Sequence, residues 1–159
     1  MFRFGGNGLL SNVEVNDTIP AGTTYVGGMV SFSGHSAPTM WSFDRLLKDS
    51  DAASVHNEGR TALALPLACY TNYADDPSVN TMAHQFLAEG ENGFVAIYGA
   101  ATLSRFAQNG AAITRVVDYL KKGKTLGEAV RQAKEDLGIG YNDIIRNSNL
   151  FGDVTLKLK

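Results

Sequence analysis

Two runs in this chain, residues 62–68 (Ala-Leu-Ala-Leu-Pro-Leu-Ala) and 94–98 (Phe-Val-Ala-Ile-Tyr), are apolar almost without interruption. A strand with one wet face alternates with period two, so a run that is apolar at every position reads as a strand covered on both faces by helices. Residues 25–32 (Tyr-Val-Gly-Gly-Met-Val-Ser-Phe) read as a further strand preceding these. Between and after the runs the period becomes helical. Residues 78–90 place Met82, Ala83, Phe86 and Leu87 on one face, and Ile113, Val116, Val117 and Leu120 follow the helical spacing up to a stop at Gly123. Thr125-Leu126-Gly127-Glu128 is a capping box that opens a helix with an apolar stripe of Leu126, Ala129, Val130, Ala133 and Leu137, closed by Gly138. Strands alternating with helices imply right-handed crossovers, hence an α/β fold with a mostly parallel sheet flanked by helices on both faces.

The remaining segments are less regular. A short helix is expected over 40–47 and a polar loop over 49–60, and residues 154–158 alternate as a last strand with one solvated face. Pro66 cannot donate to a central ladder, so it predicts a bulge or an edge position. Residues 1–22 read as an irregular segment with an edge strand at Val13-Glu14-Val15, leaving 23–159 as the α/β domain.

A length of 159 residues suits one domain with a real core. The formal net charge is −2, and the one basic cluster, Lys121, Lys122 and Lys124, sits at a helix end where cations complement the dipole. The chain therefore carries no footprint for nucleic acid, and no apolar run reaches membrane-spanning length. The start at Met1 lacks the apolar core of a signal peptide. A single cysteine excludes a disulfide framework and a cysteine-based zinc site within the chain. His56 reads as a solvated loop residue and His84 as a helix-surface residue. No metal and no cofactor is expected.

In parallel sheets binding and catalysis gather beyond the carboxyl ends of the strands. Two residues with reactive chemistry stand there: His35, just past 25–32, and Cys69, just past 62–68. A thiol needs a base or a charge partner to react as thiolate near neutral pH, and a nearby imidazole supplies one. The plain alternatives are a cysteine acting as a small buried hydrophobe and a loop histidine bonded to backbone.

The flanking residues add to this reading. Phe32-Ser33-Gly34-His35-Ser36 followed by Trp41 resembles the Gly-His motif of gingipain-type cysteine peptidases of the caspase-like clan. Residues 63–69 look like that family's apolar strand ending in the nucleophile. The resemblance continues through 92–100, the helix at 125–129, and 149–156, covering roughly 24–158. It implies a caspase-like three-layer sandwich lacking the N-terminal strands, and a cysteine-type endopeptidase acting through an acyl-enzyme. Cys69 would be the nucleophile, His35 the general acid/base, and the backbone N–H groups of Cys69, Gly34 and Ser36 the oxyanion hole. Trp41, Tyr70, Asp75 and Asp76 are the candidates for a substrate pocket. The family is often exported, and its usual glycine after the histidine is Ser36 here. The implied partner is a peptide or protein substrate. A second copy or a partner chain is expected to cover an open sheet edge at the first strand. The alternative is a catalytically inactive interaction or assembly module that keeps the fold.

Overall fold

The computed structural model describes residues 28–57, 60–89 and 92–158. The expected irregular segment 1–22, the alternation at 13–15 and the start of the first strand at 25–27 lie outside these residues.

The main sheet has four strands: β1 (Gly28–Val30), β5 (Ala62–Ala64), β6 (Phe94–Ala100) and β7 (Ser148–Gly152), adjacent in that order. β1, β5 and β6 are parallel, and β7 closes the sheet antiparallel to β6. A second, small antiparallel sheet holds β2 (Ser36–Ala37), β3 (Met40–Trp41) and β4 (Leu47–Lys48). Four helices follow or separate the main strands: α1 (Met82–Ala88), α2 (Phe106–Lys121), α3 (Leu126–Asp136) and α4 (Asn142–Asn147).

The two faces of the sheet bury different clusters. On one face Leu63 and Leu65 of the β5 segment and Ala96, Tyr98 and Ala100 of β6 pack against Ala112, Val116 and Leu120 of α2, Leu126 and Ala129 of α3, and Ile144 of α4. On the other, Phe32, Ala64 and Ile97 pack against Met82, Ala83 and Phe86 of α1, with Trp41 and Ala52. The apolar character of 62–65 and 94–98 is thus explained, since each of these residues faces one cluster or the other. Ala62 pairs with Phe94 but Leu63 pairs with Ala96, so Val95 is an inserted residue that swings Phe94 onto the face of Ile97.

Pro66 sits neither at an edge nor in a bulge. The N–H groups of Leu65 and Leu67 both point to the β1 side, donating to Val30 at 2.8 Å and Phe32 at 2.6 Å. Alternation turns the Pro66 nitrogen toward β6, and the β5–β6 ladder ends at the pair Ala64 and Ile97. The missing donor therefore falls where pairing has already stopped.

Three expectations are corrected. Residues 40–47 are not a helix but the strands β3 and β4 with a turn between, in which Ser42 and Arg45 take φ of 62° and 59°. Burial of Trp41 in the core overrides the weak helical pattern. Within the expected polar loop, Asp49–Ser54 forms a 3-10 helix that buries Ala52. The last strand is Ser148–Gly152 rather than 154–158, which instead caps α3. Leu126 and Gly127 donate their N–H groups to Leu156 at 2.8 Å and Val154 at 2.9 Å. These are orphan donors of a helix start, and a Cβ on Gly127 would lie 3.2 Å from the Val154 carbonyl oxygen, which explains the glycine.

The capping box forms as expected. Thr125 Oγ1 accepts from Glu128 N–H at 3.3 Å, and the Glu128 carboxylate accepts from Thr125 N–H at 2.9 Å, which holds the Glu128 carboxyl below its usual range. Replacing Thr125 by alanine is expected to lower stability by about 1 kcal/mol in a denaturant titration at pH 7. Because the folded-state value of Glu128 is lowered, its share of the cap is present above the unfolded value near pH ~4.3. That share is lost as the pH falls through the folded value, so the difference between the two proteins narrows in acid.

Among the described residues no helix is long and apolar enough to cross a membrane, and β1 has β5 as its neighbour in the sheet.

Candidate active site

Parallel pairing decides which loops meet. Gly28 lies opposite Ala62, Met29 opposite Leu63 and Val30 opposite Ala64, and beyond the strands Ser33 still bridges Leu67. The spacing between partners is unchanged along this length, so His35 and Cys69, each two residues past the last bridge, leave the sheet side by side. The Ser36 hydroxyl donates to the Cys69 carbonyl and ties the two exits together. Gly34 allows the chain to turn tightly over the core, since a Cβ there would stand 2.8 Å from the Phe32 ring.

Cys69 is half-buried and its sulfur rests on the loop that follows β6. The Ser104 N–H donates to it at 3.3 Å and the Ser104 hydroxyl lies at 3.8 Å, while the thiol donates to the Ser104 carbonyl at 3.5 Å. Asn109, on the first turn of α2 and 2% exposed, holds the Ser104 hydroxyl with its side-chain N–H at 2.7 Å.

Directly after the cysteine, Tyr70 adopts φ of 54°, the left-handed region that a bulky residue rarely occupies. The strain, roughly 1–2 kcal/mol, is held by bonds on the far side of the turn. Tyr70 N–H donates to Thr102 at 3.1 Å and Asn72 N–H to Ala100 at 3.0 Å. The Asn72 side chain, fully buried, reaches through to the Ile97 carbonyl at 3.3 Å and the Asn149 carbonyl at 2.6 Å. One amide thus pins the loop after Cys69 to both β6 and β7.

The His35 ring is exposed and stacks on Phe43, centroid to centroid 5.9 Å with planes 14° apart. Beside it opens a cleft of about 490 Å³ walled by Pro38, Phe43, Tyr70, Tyr73 and Val79, with Ser36 and Ala37 completing the lining.

Of the residues singled out in the sequence, Gly34, His35, Ser36, Cys69 and Tyr70 stand at the two neighbouring strand exits, and Ser36 and Tyr70 also line the cleft. The Gly34 N–H is directed to the Leu67 carbonyl at 3.5 Å. Trp41 does not line the cleft. It is 4% exposed and stacks on Phe32 at 5.2 Å and Phe94 at 6.1 Å, because its large ring is the filling of the lower core. Asp75 and Asp76 are also absent from the lining. Asp75 is exposed, and Asp76 accepts from the Ser78 N–H at 2.9 Å and hydroxyl at 2.7 Å, bonds that hold its carboxyl below the usual range. Ser104, Asn109 and Asn72 escaped the sequence reading. Their only signal was position, in or near loops that leave the functional end of the sheet.

Several solved structures share this fold. The chain superposes on the Arg-specific cysteine proteinase gingipain R with a TM-score of 0.71 at 16% identity, covering 85% of this chain and 34% of that one. A complex of Porphyromonas gingivalis RgpB pro- and mature domains gives 0.70 at 16% identity, covering 85% and 35%. A structure described as a protease gives 0.59 at 15% identity, covering 84% and 36%. The chain therefore spans little more than a third of the length of these relatives. No curated protein matches it significantly in sequence. The caspase-like arrangement expected from the resemblance is the fold observed, and the model of Peptidase family C25 matches residues 11–159, so the chain belongs to that family.

Proposed function

We propose that this chain carries the reacting residues of a cysteine endopeptidase, with Cys69 as nucleophile and His35 as general acid/base. The observation that carries the reading is the constant register of β1 and β5, which sets the two residues at adjacent strand exits. The Cys69 thiolate attacks a peptide carbonyl and His35 protonates the departing amine, leaving an acyl-enzyme. His35 then takes a proton from water, whose oxygen attacks the thioester and releases the acid and the Cys69 thiolate.

The oxyanion needs two aimed donors. His35 and Ser42 form a hydrogen-bonded pair, Ser42 N–H donating to the His35 carbonyl at 2.9 Å. Alternation in an antiparallel ladder then turns the Ser36 N–H away from its partner Trp41. The N–H groups of Ser36 and Cys69 are the donors we favour, since that of Gly34 is directed to Leu67. The Ser36 side chain, in the place of the family's glycine, is turned to the Cys69 carbonyl.

One observation favours a second reading, an inactive module that keeps the fold: the sulfur bonds to Ser104 and the imidazole stacks on Phe43, each with its own partner. Catalytic hydrogen bonds are often loose before substrate binds, so a reaction separates the readings. A peptidyl acyloxymethyl ketone is expected to label Cys69 faster than it labels a free thiol, and His35→Ala is expected to abolish the excess. Labelling at the rate of a simple thiol in the folded protein would establish the module. A peptide substrate is the partner of the first reading. A partner chain is proposed as well, because one relative is a complex of pro- and mature domains.

A further inference from the structure

The cleft beside the candidate dyad has a chemistry of its own. Its lining includes Ser36 and Tyr70, the residues that directly follow His35 and Cys69, so a peptide lying across the two strand exits has a side chain over it. The walls are the rings of Phe43, Tyr70 and Tyr73 with Pro38 and Val79, and among the described residues that line it there is no carboxylate or cation. The nearby carboxylate of Asp76 is committed to Ser78. A Lys or Arg side chain placed here would lose hydration and gain no counter-charge, which is unfavourable. An aliphatic or aromatic side chain would exchange water for apolar wall, a gain that scales with the area covered.

We infer that this cleft binds an apolar substrate side chain, aliphatic or aromatic, next to the scissile bond, so that the chain selects hydrophobic rather than basic or acidic residues at that position. The inference rests on the proposed peptidase reading for its location, and its test is built to separate the two.

Fluorescent octapeptides, identical except for Leu, Phe, Lys or Asp at one of the four central positions, are titrated into the full chain bearing Cys69→Ala, which binds without turnover. One position is expected to favour Leu and Phe over Lys and Asp by about tenfold or more. Val79→Asp is expected to erase that preference and to raise the affinity of the Lys peptide. Val79→Ala, a milder change, should weaken the Leu and Phe peptides alone by a few-fold. The same peptides are then offered to the unsubstituted chain and cleavage is followed. Apolar selectivity in binding with no cleavage would uphold the cleft and defeat the peptidase reading. Cleavage preferring Lys or Arg beside the scissile bond would uphold the peptidase and overturn the cleft. The cleft is equally overturned if no peptide binds, or if Val79→Asp leaves the preference intact.

Discussion

Replacing His35 by alanine is expected to lower kcat/KM for a cleaved peptide by about a hundredfold to ten-thousandfold, with little change in the thermal midpoint. The two halves of that result have separate causes. His35 is exposed, makes a ring contact with the exposed Phe43, and contributes no side chain to either buried cluster, so its removal leaves the packing intact. In the proposed mechanism its contribution, by contrast, is the proton given to the leaving amine and the proton taken from water. The measurement is a steady-state assay beside a melting curve. A variant that retains full kcat/KM would remove His35 from the mechanism. One that loses activity and stability together would show that the residue acts through the fold.

The second large effect is expected at Asn72. Its side-chain N–H group meets two backbone carbonyls, those of Ile97 and Asn149, in a fully buried place. Asn72→Asp has nearly the same shape but replaces the donor by an oxygen. At neutral pH a buried carboxylate would face two carbonyl oxygens, and such unpaired buried charge destabilises by about 3–5 kcal/mol. Burial raises the folded-state value of such a carboxyl. The variant is therefore least destabilised below the unfolded value of about 3.9 and worsens as the pH rises above it. Urea titrations at pH 4 and pH 7 would show the divergence. Equal stability of the two proteins at pH 7 would mean that Asn72 does not hold the loop. Because Asn72 lies three residues beyond Cys69, we also expect the surviving folded fraction to react more slowly at the sulfur.

How much of this was legible from the sequence differs from element to element. The runs 62–68 and 94–98 and the helices α2 and α3 could be read directly, because local periodicity and a capping box report which faces will be buried. The hairpin at 40–48 could not. Its short apolar residues fit a helix as well as two strands, and only the space left beneath β5 and β6 draws Trp41 inward and forces the left-handed residues Ser42 and Arg45. The closing strand was misplaced for a related reason. Both 148–152 and 154–158 can extend, and the free edge of β6 against the open start of α3 decides which of them pairs.

For the site, His35 and Cys69 were visible because each is a reactive residue at the end of a strand, and the residues around them resemble those of a known family. Trp41, Asp75 and Asp76 lie outside the cleft, since nearness in sequence to the reactive pair says nothing of which side of the sheet a chain turns to.

Sequence alone thus determined the two buried strands, the helices α2 and α3, the layer order they imply, and the two residues with chemistry to offer, all properties carried by neighbours a few positions apart. Tertiary structure alone decided the rest: the register that sets the exits of His35 and Cys69 side by side, the loop of Ser104 and Asn109 that receives the sulfur, the amide of Asn72 that pins the turn, and the cleft walled by aromatic rings. Each depends on contacts between segments tens of residues apart, and the partner in such a contact is chosen by space and by unmet hydrogen bonds, neither of which local sequence encodes.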